Sequence, residues 1–268
     1  MTGDTRLRVG RIAALNMFPL YHHLERAEGH RFRFTDGVPT ALNRALLADR
    51  LDVSAMSSIE FARNAEELRL LPVASVSAAG AVDSIQLFSA TPPETVTRVA
   101  VTPHSATSVA LLRVLLGPAP EFVPLEGRAG EALAAGDAVL LIGDEALEGR
   151  LRGLAPYATD LGALWRARTG VPMVFAVWAL RRDVDPARAV HVARLEELLR
   201  EARRRYAADP AEVVDAATAR FPFPRDFIAA YFRRLSYGFG DRERAGLARF
   251  LELARGAGEL TRLPALAA

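Results

Sequence analysis

The sequence predicts an α/β fold in two lobes, and three features of the chain carry this prediction. Through the first half, short apolar runs typical of strands alternate with runs of helical periodicity, which indicates βαβ units and a largely parallel sheet. Two apolar strands, 84–90 and 174–180, bracket an α/β segment of the size of a small domain. Beyond the second of these strands the pattern is helical. We therefore expect two lobes joined by two crossing strands, with a ligand site in the cleft between them and a helical C-terminal region.

The individual elements follow from apolar periodicity and from the turn residues between them. The strands predicted in the first half cover 7–14, 31–35, 51–55, 70–76, 85–89 and 98–102, and the helices between them cover 19–26, 39–49, 58–68 and 106–116. The middle of the chain continues with strand 122–124, helix 130–135, strand 138–142 and a helix from Asp144. A long apolar strand over 171–181 precedes four helices, at 186–207, 210–221, 225–235 and 242–257. This division predicts a first lobe formed by 1–90 with 174–268, and a second lobe, 91–173, inserted into it.

The composition excludes several classes of protein. The chain has 268 residues, 50% of them hydrophobic and 25% charged, with a net charge of +2, as in a globular protein with a sizeable core. It has no cysteine, which excludes disulfides, thiol nucleophiles and thiolate-bound metals. No basic run is interleaved with aromatic residues, so we expect no nucleic-acid partner. The apolar part of residues 1–15 is too short for a signal peptide or a membrane span, and we expect a cytoplasmic protein without a membrane partner.

Histidine and tryptophan often mark ligand sites, but for two pairs of them in this chain we expect no ligand. His22 and His23 are adjacent, and on a helix they project about 100° apart. We therefore expect them not to chelate one ion together, and we expect no metal site. Trp165 and Trp178 lie in apolar runs, which is typical of core residues rather than of stacking platforms.

The most informative segment joins the predicted strand 98–102 to the predicted helix 106–116. The hydroxyls of Thr102, Ser105, Thr107 and Ser108 crowd the first turn of that helix. Backbone N–H groups lack intrahelical partners there, and the helix macrodipole is positive, so the turn suits a carboxylate or a phosphate. Ordinary N-capping by Ser and Thr is the alternative.

Two further strand-to-helix junctions carry polar residues. Ser57 and Glu60 have the spacing of a capping box, which accounts for Ser57 and leaves Ser58 without a structural explanation. Asn16 follows the first strand and precedes Pro19, at the carboxyl end where open α/β sheets hold ligands. Three polar junctions within the first 110 or so residues predict one shared anionic ligand.

Several motifs, in order along essentially the whole chain, resemble one enzyme family. They are GRIAALN at 10–16, PLY at 19–21, GVPTALN at 37–43, LDVS at 51–54, SSIEFA at 57–62 and PHSATS at 103–108. This pattern resembles the chorismate dehydratases of the futalosine route to menaquinone. The resemblance implies a periplasmic-binding-protein-like fold of type II, used by a cytosolic carbon–oxygen lyase without a cofactor. The implied reaction is loss of water from chorismate to give 3-[(1-carboxyvinyl)oxy]benzoate.

A sister family, which makes 1,4-dihydroxy-6-naphthoate, shares that fold and has a Cys-Pro-Asn-Asp type of turn near its N-terminus. The present chain has Leu15-Asn16-Met17-Phe18 and no cysteine, which favours the dehydratases. The chain departs from the family pattern at Ala14, where an aromatic residue is usual. It departs again at Ala55-Met56, where Pro-Ile or Pro-Val is common.

The resemblance assigns two candidate catalytic residues. Asn16 is expected to orient the departing hydroxyl or to stabilise developing negative charge, as a neutral amide can. Its alternative role is an N-cap for the helix entered at Pro19. Ser84, at the start of a crossing strand, is expected to reach the cleft, and its alternative is a solvent-facing strand hydroxyl. No motif residue is a strong base, so one hypothesis is that the substrate's own enolpyruvyl carboxylate takes the proton.

The expected substrate contacts come from the helix N-termini of two of these junctions and of the helix after strand 138–142. They are Ser57, Ser58, Ser105, Ala106, Thr107, Ser108 and Asp144. Asp144 is alternatively a helix cap. Two other functions stay open: a non-catalytic binding protein for an organic anion, since fold does not fix function, and the effector lobe of a regulator.

Overall fold

The computed structural model describes residues 4–24 and 30–266, and its strands form two separate β-sheets. The strands are β1 (Leu7–Arg11), β2 (Phe32–Asp36), β3 (Val53–Ser57), β4 (Leu68–Ala78), β5 (Ile85–Ser89), β6 (Arg98–Val101), β7 (Glu121–Pro124), β8 (Ala138–Ile142), β9 (Tyr157–Asp160), β10 (Met173–Arg181) and β11 (Leu235–Ser236). The helices are α1 (Phe18–Leu24), α2 (Pro39–Leu47), α3 (Ser58–Arg63), α4 (Ala106–Leu116), α5 (Ala129–Ala134), α6 (Gly143–Leu151), α7 (Leu161–Thr169), α8 (Pro186–Ala189), α9 (Val192–Ala208), α10 (Pro210–Thr218), α11 (Arg225–Phe232) and α12 (Asp241–Gly256).

The first sheet has six strands in the order β11-β4-β10-β3-β1-β2. β1 pairs in parallel with β2 and β3, whereas β10 is antiparallel to both β3 and β4. The sheet is therefore mixed and not purely parallel: β1 to β4 run in one direction, and β10 and β11 run in the other. The reason is topological: β10 brings the chain back from the second sheet, so it enters at the end from which β4 leaves.

The second sheet has five strands in the order β7-β6-β8-β5-β9. β6 is parallel to β7 and β8, and β5 is antiparallel to β8 and β9. The chain crosses between the sheets at 79–84 and at 170–172. β5 lies wholly in the second sheet and β10 wholly in the first, so short connecting segments cross, not the strands themselves. The predicted lobe limits at 90 and 174 stay a proposal. If the chain is divided by sheets instead, the first boundary lies before Ile85, the first residue of β5.

Other differences concern element ends. β1 ends at Arg11, since residues 12–17 turn away from the sheet, and the predicted helix 225–235 ends at Phe232 so that β11 can pair with β4. The predicted helix 186–207 is two helices, α8 and α9. The predicted helix 19–26 is observed through Leu24, and its last two residues lie outside the described part of the chain. The sequence pattern does not predict β9 or α7. β9 is half-exposed and carries no apolar alternation.

One apolar core runs through both lobes. The five residues of β3 and the five of β5 are all buried, and Trp165 and Trp178 are completely buried, as expected of core residues. A smaller cluster around Phe88 covers the outer face of the second sheet. In the part of the chain that the structure describes, no helix is long and apolar enough to cross a membrane.

Candidate active site

A cavity lies between the two sheets, where loops that follow several strands meet. It is lined from the first sheet's side by residues such as Ile12 and Phe175, and from the second sheet's side by residues such as Ile85 and Ile142. The cavity volume is about 100 Å³, which suits a compact small molecule and not a polymer. We call this space the inter-sheet cavity.

The described residues that line the inter-sheet cavity carry no ionisable side chain. Its polar side chains are neutral: Asn16, Ser57, Ser84, Ser105 and Ser108. Positive potential comes instead from helix N-termini, because the N-caps of α3 and α4 and the first residue of α6 all line it. An anion here meets backbone N–H groups and hydroxyls rather than arginine or lysine.

The N-terminus of α4 serves both capping and the cavity. The Ser105 hydroxyl oxygen accepts the Ser108 backbone N–H at 3.1 Å, and the Ser105 hydroxyl donates to the Ser108 oxygen at 2.9 Å. Both side chains line the cavity. Thr107 does not, since its hydroxyl oxygen accepts the Ile59 backbone N–H at 3.3 Å and so links α4 to α3. Ala106 is not among the lining residues either.

Ser57, the N-cap of α3, and Ser58, its first residue, exchange the roles that the sequence indicates. Ser57 is the N-cap but makes no side-chain cap hydrogen bond, and it lines the cavity. Ser58 is completely buried and donates its hydroxyl to the Val174 carbonyl at 2.7 Å, outside the cavity. The predicted capping box is wrong, because the Glu60 carboxylate instead pairs with Arg63 at 2.6 Å.

Asn16 lies in a 3₁₀ turn, Leu15–Met17, between β1 and α1. Ala14 is the N-cap of this turn, and no side chain caps it. The Asn16 Oδ1 is buried without a hydrogen-bond partner, although the residue lines the cavity. An N-cap would use this oxygen as an acceptor, so the capping alternative is excluded. An unpaired buried acceptor costs about 1–3 kcal/mol, which a ligand that donates to it would offset.

Two hydrogen bonds hold the backbone of this turn from opposite sides. The Tyr237 hydroxyl donates to the Asn16 carbonyl at 2.8 Å, and the Leu15 N–H donates to the Asp144 carboxylate at 3.1 Å. Asp144 therefore lies beside the cavity but is not among its lining residues. Burial raises the pKa of Asp144, the hydrogen bond from Leu15 lowers it, and the Glu148 charge raises it again.

Ser84 lies at the end of the first crossing segment and lines the cavity. It is buried, which argues against a solvent-facing hydroxyl, and its carbonyl accepts the Gly143 N–H at 2.8 Å. Gly143 has a φ of 60°, a conformation that glycine adopts without strain, and this lets α6 start directly at the cavity. Burial raises the pKa of the neighbouring Tyr231 phenol, so Tyr231 stays neutral at physiological pH.

The crossing segment is held by charges that the sequence did not single out. The buried Asp83 carboxylate pairs with Arg150 of α6 and, at 2.6 Å, with Arg234 beyond α11. Burial raises the pKa of Asp83 and the two arginines lower it. The Asp160 carboxylate accepts the backbone N–H groups of Val82 and Asp83. An isolated aspartate in a loop gives no sequence signal for such a role.

The expectation that the adjacent histidines share no ion stays a prediction, although their side chains lie closer together than the helical rotation indicates. Ligand atoms of His22, His23 and Glu212 all lie within 4.8 Å of one another, and the two rings are 4.9 Å apart. The 100° rotation between neighbouring residues is offset by their side-chain torsions, so adjacency does not prevent a shared ion. None of the three lines the inter-sheet cavity.

Two sheets, two crossing segments and a cavity between the sheets define the periplasmic-binding-protein-like class of fold. The alkanesulfonate-binding protein SsuA from Xanthomonas axonopodis pv. citri, bound to MOPS, superposes with a TM-score of 0.68 and 18% identity, over 98% of this chain and 96% of that one. A Candida albicans protein described as having the generic periplasmic binding protein fold gives a TM-score of 0.68 at 11% identity, over 96% and 91%. An Archaeoglobus fulgidus protein gives 0.74 at 18% identity, over 96% and 99%. These similarities confirm the fold class.

The chain belongs to the menaquinone biosynthesis family, whose model matches residues 7–256. It is 38% identical over 255 residues to a chorismate dehydratase from Thermus thermophilus, which covers 88% of this chain and 91% of the relative. It is 32% identical over 172 residues to a chorismate dehydratase from Campylobacter jejuni, over 62% and 64% of the two chains. The family expected from the sequence motifs is thus confirmed.

Proposed function

We propose that this protein is a chorismate dehydratase, which eliminates water from chorismate to give 3-[(1-carboxyvinyl)oxy]benzoate. The observation that carries the proposal is the buried, unpartnered Oδ1 of Asn16 in a cavity lined by neutral hydroxyls and helix N-termini. The similarity to two chorismate dehydratases over most of the chain supports the same substrate. In this proposal the protein is a hydro-lyase, works in the cytoplasm and acts on a small molecule.

Chorismate is a dianion, and the cavity offers two groups of donors for its carboxylates. The N-terminus of α4 presents Ser105 and Ser108, with the positive end of an eleven-residue helix behind them. The Ser57 hydroxyl lies on the first sheet's side of the same cavity. Hydroxyls and backbone N–H groups on both sides allow the two lobes to hold one carboxylate each.

The reaction removes a hydrogen from the ether-bearing ring carbon and the hydroxyl from the neighbouring carbon. The electrons of the broken C–H bond complete an aromatic ring, and the hydroxide leaves as water after taking up a proton. Aromaticity supplies the driving force, so the protein's contribution is positioning and charge stabilisation. Asn16 fits this task because its free acceptor can hold the substrate hydroxyl in the geometry from which it departs.

The proton acceptor in this proposal is the substrate's own enolpyruvyl carboxylate. None of the described lining residues has a side chain that is a base at neutral pH, and Tyr231 behind Ser84 stays protonated. Ser84 then acts as a hydrogen-bond partner for the substrate beside Asn16. Asp144 acts outside the cavity.

The experiment that tests the proposal is incubation of the purified protein with chorismate, with the aromatic product followed by absorbance and identified by mass spectrometry. We expect a product lighter than chorismate by one water and growth of its absorbance in proportion to enzyme. Binding of chorismate without product would overturn the proposal in favour of a binding protein for organic anions, a role held by the alkanesulfonate-binding neighbour. The product 1,4-dihydroxy-6-naphthoate from the cyclic precursor of the sister reaction, with no turnover of chorismate, would place the chain in the sister activity.

A further inference from the structure

We infer that Asp144 and Tyr237 are positioning residues that align Asn16, Tyr237 from the same lobe and Asp144 from the other. The inference rests on the proposed role of Asn16. Neither residue touches the substrate in this scheme, and both act through the backbone of residues 14–17, which we call the Asn16 turn.

The Asn16 turn has few fixed points of its own. One internal hydrogen bond, from the Met17 N–H to the Ala14 carbonyl at 3.1 Å, closes it. Its side chains at Leu15 and Met17 are buried, which anchors the turn but does not set the rotation of the peptide groups around Asn16. That rotation is set by what the Leu15 N–H and the Asn16 carbonyl bind.

Those two backbone groups are bound by residues from different lobes. Tyr237 follows β11, on the edge of the first sheet that also contains β1. Asp144 lies in the first turn of α6, which follows β8 of the second sheet. The hydrogen bond between Asp144 and Leu15 therefore spans the cleft and joins the two lobes at the Asn16 turn.

The position of Asp144 is itself tied to the cavity wall. Gly143 lines the cavity, and its N–H donates to the Ser84 carbonyl. The next residue, Asp144, turns its carboxylate away from the cavity toward Leu15. Such a carboxylate facing a dianion would repel it, whereas one facing an N–H group fixes the turn without adding negative charge to the cavity.

The first test changes the acceptor at position 144. Asp144→Ala removes the acceptor and is expected to lower kcat by about 10- to 100-fold, the usual result of a misplaced catalytic group, while KM changes by less than about threefold. Asp144→Asn keeps an acceptor oxygen and is expected to retain kcat within about threefold of the unchanged protein. Glu145→Ala is the matched control, because it removes an exposed carboxylate from the same first turn of α6 and should leave both constants unchanged.

The second test removes only one hydroxyl. Tyr237→Phe keeps the buried ring and loses the bond to Asn16, so kcat should fall about tenfold with KM unchanged. Tyr206→Phe is its control, since that ring packs edge-on against Tyr237 at 5.8 Å and has no bond to the turn. A double-mutant cycle separates positioning from stability: Asn16→Ala with Tyr237→Phe should be no slower than Asn16→Ala alone.

The outcomes separate this inference from the proposal beneath it. If Asn16→Ala turns chorismate over at the normal rate, the proposed role of Asn16 is wrong. The inference that Asp144 and Tyr237 position Asn16 is then wrong as well. If Asn16→Ala is slow while Asp144→Ala and Tyr237→Phe keep normal kcat, only the positioning inference is overturned. Equal losses for Asp144→Asn and Asp144→Ala would also overturn it for Asp144. Should Asp144→Ala not fold, as judged by its melting curve, the Tyr237 variant and the cycle decide the matter.

Discussion

At the scale of single residues, some polar side chains of the inter-sheet cavity lack hydrogen-bond partners within the protein. Asn16 has an amide oxygen with no partner, and Ser57 caps a helix without a side-chain bond. Other polar side chains at the same junctions bind to the protein itself, and Ser58 for example donates a hydrogen bond to the Val174 carbonyl. Buried polar groups normally have partners, so an unpartnered acceptor that also lines a cavity, as in Asn16, is a candidate ligand contact.

The first prediction concerns Asn16. Asn16→Ala should keep chorismate binding but slow turnover by about 10²-fold, because the departing hydroxyl is no longer held in its reactive geometry. Steady-state kinetics together with binding measured by calorimetry would show the split. Asn16→Asp adds a contrast, because the charge should weaken binding of the dianion as well. A fully active, stable Asn16→Asp protein would remove Asn16 from the chemistry.

The second prediction concerns the pH dependence of stability through Asp144. Burial raises its pKa in the folded protein above the value of 3.8 that it has when free. The folded state therefore binds this proton more tightly than the unfolded state, and the stability that the group contributes is present below 3.8 and is lost as pH rises through the raised pKa. Urea unfolding across this window should show the unchanged protein losing stability relative to Asp144→Asn as pH rises. A constant difference would contradict the assignment.

At the scale of elements, each helix that starts at the cavity contributes its first turn. α4 and α6 follow parallel strands of the second sheet, and α3 follows β3 of the first, so their N-termini converge at the strands' carboxyl ends. This convergence supplies positive potential without charged side chains. It also explains why adjacent residues in one turn have unrelated roles, since successive side chains point in different directions.

The third prediction separates the two serines at the start of α3. Ser57→Ala should raise KM for chorismate several-fold and leave the melting temperature nearly unchanged, because its hydroxyl makes no bond within the helix cap. Ser58→Ala should leave KM unchanged and lower the free energy of unfolding by about 1–3 kcal/mol, since the Val174 carbonyl loses its buried donor. Kinetics and thermal melts on both proteins provide the comparison, and each serine serves as the other's control. The reverse pattern would reassign the site to Ser58.

At the scale of the whole molecule, the first crossing segment is fixed by charges from both lobes. Asp83 forms ion pairs with Arg150 of one lobe and Arg234 of the other. The Asp160 carboxylate accepts hydrogen bonds from backbone N–H groups of the segment. A further link joins Glu259 to Arg63 at 2.7 Å and to Arg113 at 2.8 Å, and so connects α3 with α4. The arrangement of the lobes is therefore specified by named contacts as well as by the apolar core.

The fourth prediction concerns Asp160. Its carboxylate accepts three backbone N–H groups, from Val82, Asp83 and Ala163, so Asp160→Ala should lower the free energy of unfolding by at least about 2 kcal/mol. Asp209→Ala is a matched control that removes an ordinary helix cap, worth about 1 kcal/mol. Chemical denaturation measures both. Equal losses would mean that Asp160 is only a cap for α7.

Much of the fold follows from local pattern. Apolar runs and turn residues place β3, β5, β8, α4 and most of the C-terminal helices within a few residues of their observed positions. Periodicity does not carry sheet order, and it missed β9 and β11, whose short or half-exposed segments have no apolar alternation. The six-stranded sheet is mixed because β10 must return antiparallel between β3 and β4.

The sequence by itself determined the α/β class, the family through its ordered motifs, and the strand-to-helix junctions at which the cavity forms. Only the tertiary structure decided which side chain at each junction is open to a ligand. Ser58 donates a hydrogen bond to a carbonyl 116 residues away, and Asp144 accepts one from an N–H group 129 residues away. The physical reason is that hydrogen-bond partners of buried polar groups come from distant segments, whereas capping, periodicity and turn propensity act within a few residues.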